Sequence, residues 1–141
     1  GVFDLENNVQ LQIKQTVKQF DDKQKFMNRT EGVWQQREAE FIRYQEQVEE
    51  AHVNVTVKIE SSGVKIIRKG DINMKLHFVE GEDTVTLYEL SGAKIPLTVR
   101  TRSIKHFVEA DGGKLKVHYD LLQAEEKMGT YQYEINYKEI E

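Results

Sequence analysis

Apolar and polar residues alternate along most of this chain with a period of two, the pattern of strands that bury one face. In VQLQIKQTV, Val9, Leu11, Ile13 and Val17 share one side, while Gln10, Gln12, Lys14 and Thr16 share the other. Asp21-Asp22-Lys23 then reads as a turn. In VNVTVKIE, Val53, Val55, Val57 and Ile59 alternate with Asn54, Thr56 and Lys58 without a fault. Ser61-Ser62-Gly63, Gly81-Glu82-Asp83 and Ser91-Gly92 separate further runs, VKIIRKG, INMKLHFV, TVTLYEL and IPLTVRT. Asp111-Gly112-Gly113 is the strongest hairpin signal, because successive glycines supply a positive φ without steric cost. It leads into KLKVHYDLL, and the chain closes on YQYEINY with Tyr131, Tyr133, Ile135 and Tyr137 aligned.

One segment breaks the pattern. Residues 37–51, REAEFIRYQEQVEEA, are rich in good helix formers, and their apolar positions fit neither period. Propensity alone predicts a helix here. The neighbouring Val33-Trp34 and the faultless strand that follows favour a hairpin instead, built from Phe26–Trp34 and Glu40–Gln47. The hairpin is the expectation, with tertiary context set above propensity.

Nine or ten strands joined by short turns imply sequential antiparallel pairing. A sheet that long curls, and closure removes its exposed edges. The expected fold is therefore all-β, a single antiparallel meander barrel of about 8–10 strands. The 141 residues make one domain, 1–141, with no repeat, linker or low-complexity tract.

Composition then narrows the chemistry. The net charge of −4, from 20 Lys and Arg against 24 Asp and Glu, argues against a general nucleic-acid or acidic-membrane binder. With no cysteine, disulfides, thiolate catalysis and cysteine-held metal clusters are excluded. No apolar stretch approaches the roughly 20 residues of a membrane span. No charged-then-apolar leader opens the sequence as given, which sets the expectation of a cytoplasmic protein.

Candidate sites are few. The four histidines show no ligand spacing, and His77 and His118 fall on polar faces, so no metal site or cofactor is expected. Ser61, Ser62 and Ser91 sit in turns, no nucleophile elbow exists, and the balance leans away from an enzyme. Glu38, Glu40, Glu46, Glu49 and Glu50 read as a solvated surface run. Arg100 and Arg102, near Lys94, Lys105, Lys114 and Lys116, form the one patch suited to single-stranded nucleic acid. The simpler reading of that patch is a polar outer face.

Arg68 is the residue that stands out. Val64, Ile66 and Arg68 share a face by alternation, so the guanidinium enters the barrel if the register holds. A charge there needs an internal carboxylate, hydroxyls or a bound anion. Neighbours expected on inward faces are Met74, Phe78, Thr101, Tyr119 and Tyr133, with Tyr88 a further hydroxyl. Two alternatives stay open: Arg68 reaches the mouth and pairs with a surface glutamate, or a bulge turns it outward. The first function to weigh is a non-catalytic barrel for a small amphipathic or anionic ligand, held by Arg68. The second is an interaction or scaffold barrel with a filled core, acting through its outer surface or the 38–50 segment, or as a homodimer that covers a residual edge.

The run IRKGDINMKLHFVEG (67–81) resembles the signature of the YwiB-like family of small bacterial β-barrels: Arg-x-Gly, then Asn-Met-Lys, then Phe-Val and a Gly turn. Tyr88, TVRTRSI (98–104) and LKVHYDL (115–121) continue the resemblance in order, and Thr30–Gly32 with FIRYQE extend it upstream. It implies a lipocalin-like, or calycin, antiparallel barrel in a bacterial cytoplasmic protein, without a function. Barrels of that type that take fatty acids use interior arginines, an analogy of fold alone. Gly32-Val33-Trp34 also matches the Gly-x-Trp of lipocalin first strands, but it lies in the second strand, and Trp34 is read as a core or rim aromatic.

Overall fold

The computed structural model describes residues 5–90 and 92–140. They form ten strands: β1 (Leu5–Gln19), β2 (Asp22–Gln36), β3 (Glu40–Val48), β4 (Ala51–Glu60), β5 (Gly63–Gly70), β6 (Met74–Phe78), β7 (Asp83–Leu90), β8 (Ala93–Glu109), β9 (Gly112–Gln123) and β10 (Glu126–Glu139). All belong to one antiparallel sheet in the order β6-β5-β4-β3-β2-β1-β10-β9-β8-β7. Among the described residues there is no helix, and none long and apolar enough to cross a membrane.

The meander steps outward from β1 in one direction and from β10 in the other. The first and last strands pair along a ladder from Val9↔Glu139 to Lys18↔Thr130, so the sheet closes at its chain ends. The remaining seam lies between β6 and β7. There the Thr84 and Thr86 hydroxyls donate to the His77 and Lys75 carbonyls, and the two side chains stand in for a backbone ladder. The result is a nearly closed ten-stranded barrel.

Residues 37–51 contribute strands and no helix, and the hairpin expected from Phe26–Trp34 and Glu40–Gln47 forms only near its turn, since Phe26–Glu31 do not pair with β3. Gly32–Gln36 of β2 pair with Tyr44–Glu40 of β3, and β3 pairs with β4 from Glu40↔Ile59 to Val48↔Ala51. Helix propensity loses because the alternative buries Ile42 and Tyr44 in the barrel. The interior is filled by the rows the alternation defines, among them Val9, Leu11 and Ile13, Val53 to Ile59, Val64 and Ile66, and Leu115 to Leu121. Trp34 is a core aromatic, fully buried and edge-on to Tyr137 at 5.1 Å.

Two glycine expectations change. Gly112 and Gly113 do not form the turn, which falls on Ala110 and Asp111, and neither has a positive φ. They lie in β9, where the need is for room: a Cβ on Gly113 would sit 2.5 Å from the Tyr137 hydroxyl. The bare glycine lets the phenol lie across its neighbouring strand. Ser91, from the expected Ser91-Gly92 turn, lies outside the described residues.

Gly32 plays the same part where β1, β2 and β3 meet. Its missing side chain would meet the Arg43 carbonyl at 2.5 Å and Leu11 Cδ1 at 2.8 Å. Gly32→Ala is expected to destabilise the barrel by about 1–3 kcal/mol, the usual cost of overpacking. A lower urea midpoint at constant slope is the readout, and an unchanged midpoint would refute the close-approach role.

Candidate functional site

Arg68 faces into the barrel. It pairs with Val55 on β4 and Met74 on β6, positions whose row is inward, and 13% of its side chain remains accessible. Its partner is Glu46 of β3, with Nε 3.6 Å from Oε1. Among the described residues the guanidinium makes no hydrogen bond. The phenols of Tyr44, Tyr133 and Tyr119 lie within its field. Burial works against the Arg68 charge, but coulombic attraction, from the Glu46 carboxylate first, outweighs it and holds the pKa above its ordinary value.

Tyr44 and Tyr133 share a hydrogen bond, O to O 2.8 Å, across the interior from β3 to β10. Burial pushes Tyr44 and Tyr119 up to about 12 and raises Tyr133 well above the usual phenol range. All three therefore stay neutral, and one of the Tyr44–Tyr133 pair donates its hydrogen bond to the other. Tyr119 stacks on Tyr131 at 5.3 Å and leans on Phe78 at 4.6 Å. Thr101, opposite Tyr119 in the β8–β9 ladder, has a buried hydroxyl with no partner among the described residues.

The structure thus gathers Arg68, Met74, Tyr119 and Tyr133 around one interior region, with Phe78 and Thr101 joined to it through Tyr119. Tyr88 is half-buried on β7, and no hydrogen bond, ion pair or ring contact among the described residues ties it to Arg68. Glu46 and Tyr44 were not singled out from sequence. Counting by two from Ile42 leads to both, as counting from Val64 leads to Arg68. The helix-like composition of the segment hid that parity.

The solvated reading of the glutamate run is corrected for two of its members. Glu40 and Glu46 share the inward parity of Ile42 and Tyr44 and are only 17% and 14% exposed. Glu40 meets His106 at 3.1 Å, and the same Nε2 lies 2.8 Å from the Tyr137 hydroxyl. His106 reaches this position because β8 carries a register shift between Thr101 and Ser103. The extra residue moves the inward row from Leu97, Val99 and Thr101 to Ile104 and His106. Burial opposes the Glu40 charge, but His106 reverses the balance and holds its pKa below the ordinary value.

The arginine patch is engaged from within the sheet. Arg100 grips Asp83 with two bonds of 2.9 and 3.0 Å. Arg102, the bulged residue, bonds Asp120 on β9 at 2.9 Å, and Thr130 donates to the same carboxylate at 2.8 Å.

A family model for a domain of unknown function, DUF1934, matches residues 11–135. The chain belongs to that family. A similar relative is the "uncharacterized beta-barrel protein YwiB" of Bacillus subtilis, 23% identical over 134 residues that cover 94% of each chain. The crystal structure of the YwiB protein from Bacillus subtilis superposes with a TM-score of 0.86 at 22% identity, over 96% of this chain and 94% of the other. The DUF1934 chain described here therefore shares that β-barrel fold.

Asp120 gives a pH test of this sheet. Burial raises its pKa, but Arg102 and Thr130 outweigh burial and set it below the ordinary value. A lowered folded pKa adds stability that is complete above the unfolded value, about 4, and is lost as pH falls through the folded value. Asp120→Asn should cost about 1.5–3 kcal/mol at neutral pH, with the difference from wild type shrinking below about pH 4. Urea melts across that range decide it; a pH-independent difference would assign the loss to packing.

Proposed function

We propose that this protein is a non-catalytic, lipocalin-like binding barrel for a small amphipathic or anionic ligand, with Arg68 as its anchor. The observation that carries the reading is a guanidinium turned into the barrel, in long contact with one carboxylate and facing neutral phenols. Its donors and charge suit an oxyanion, and the partly buried Met74 and Tyr131 supply apolar surface for a short tail, backed by Tyr119 and the fully buried Phe78. Electrostatic recognition in a low-dielectric interior is strong because water competes poorly there.

Displacement of anilinonaphthalene sulfonate by dodecanoate and by dodecanol separates charge recognition from burial of the tail. Wild type should prefer the acid, and Arg68→Met should weaken it by about thirtyfold or more, equivalent to about 2 kcal/mol, while leaving the alcohol unchanged. Equal binding of acid and alcohol by wild type would overturn the anchor. Native mass spectrometry of the purified protein adds a direct test, since extra mass lost on denaturation reports a resident ligand.

One observation favours a second reading, the interaction barrel. Residues Asp22–Glu31 of β2 have no ladder partner on the side away from β1, and Phe26 and Met27 are exposed there. A second copy pairing across this edge would cover it. The same native spectrum reads dimer or monomer, and a bare monomer would remove this reading.

A further inference from the structure

We propose that the split between β2 and β3 is a lateral entrance to the Arg68 site and that Glu46 is its gate, an internal carboxylate that holds the guanidinium until a ligand oxyanion replaces it. This rests on the ligand reading above and adds the route and the exchange.

The β2–β3 ladder stops at Gly32↔Tyr44 although both strands continue. The same register would place Thr30 opposite Glu46 and Asn28 opposite Val48, yet no pairing forms. Each lip is tied elsewhere: β2 follows β1 down to Gln19↔Asp22, and β3 follows β4 to Val48↔Ala51. Strand twist then carries the two lips apart. At this split lies a cleft of about 600 Å³, lined by Asn28 and Thr30 of β2, Gln45, Glu46 and Gln47 of β3, and His52, Val53 and Asn54 of β4. Its amides and hydroxyl suit a charged headgroup in transit.

Glu46 belongs to both places. It lines the cleft, and its carboxylate is the ion-pair partner of Arg68. The contact is a single one of 3.6 Å, where the Arg100–Asp83 pair makes two hydrogen bonds of 2.9 and 3.0 Å. A lone, long contact is readily exchanged for a ligand that forks onto the guanidinium. Phe26, more than half exposed on β2 and in step with Asn28 and Thr30 by alternation, offers apolar surface beside the entrance for the tail. The ligand class that fits is a single carboxylate or related oxyanion on a short apolar tail.

The test uses the full chain and two readouts. One is the rate at which phenylglyoxal modifies Arg68, followed by peptide mass mapping, which requires no ligand. The other is the association rate and affinity of anilinonaphthalene sulfonate. Glu46→Gln should raise Arg68 modification about fivefold and tighten the dye about tenfold, because a competing charge has gone. The native chain has no cysteine, so Asn28→Cys takes a bulky maleimide at one site only. That adduct should slow both modification and dye association about tenfold, as a blocked path would. The same adduct at Ser62→Cys, in the β4–β5 turn, should slow neither.

Arg68 modification that ignores the Asn28 adduct would overturn the entrance. Modification and affinity that ignore Glu46→Gln would overturn the gate. A modification pattern as expected with no dye binding by wild type would uphold the entrance and overturn the ligand reading. Circular dichroism melts of each variant confirm that the barrel is folded.

Discussion

The ladder between β1 and β10 is the constraint on which the rest of this barrel depends. Ten register pairs join the two ends of the chain, so neither its first nor its last strand is an edge, and the two edges of the sheet fall at β6 and β7 instead. Any mismatch between strand lengths must then appear elsewhere in the wall. It appears twice. Between β6 and β7 two threonine hydroxyls span the gap, a connection between strands already held by their turn and by the ladders on either side. Between β2 and β3, among the described residues, no ladder pair forms in the part of β2 that precedes Gly32, because β2 stays with β1 and β3 stays with β4.

Inside the wall, β3 distributes charge to both halves of the interior. Glu40 and Glu46 are six residues apart on one face, roughly 20 Å along an extended strand. Each meets a different base: His106 with Tyr137 toward one end, Arg68 with Tyr44 and Tyr133 toward the other. The packed rows of Val, Ile and Leu between them keep the two polar groups apart. The tyrosines serve both jobs. Their rings fill the apolar volume, while the Tyr137 hydroxyl bonds the Glu40–His106 pair and the Tyr44 and Tyr133 hydroxyls satisfy each other beside Arg68.

Much of this was written in the sequence at period two. Alternation gives the strands, the inward rows and the entry of Arg68, because one face of every strand has the same fate. The turn spacing and the lack of linkers give a closing meander. What alternation misses is whatever breaks or overrides it. The register shift after Thr101 brings His106 inward, and no residue at that point announces a bulge. Glu40 and Glu46 were hidden by a segment whose composition favours a helix, so their parity was not counted. Gly112 and Gly113 looked like turn residues, while their role is to make room for Tyr137, a contact from a strand more than twenty residues away. The break between β2 and β3 depends on which neighbour each strand follows, and that is a property of the assembled sheet.

The energetics of Arg68 and Glu46 bear on what the pair is for. Taking two charges out of water costs several kcal/mol per ion, and only close geometry with further hydrogen bonds returns it. Here the contact is single and long, and the guanidinium makes no hydrogen bond among the described residues. The barrel is held by ladders around almost its whole circumference and by an aliphatic core, and one long contact adds little to these. A methionine and a leucine of similar bulk would serve stability as well or better. Such a pair is a poor brace and a good placeholder: it keeps a cation charged and oriented inside the protein while leaving most of its donors uncommitted. That is the property the proposed anion site requires.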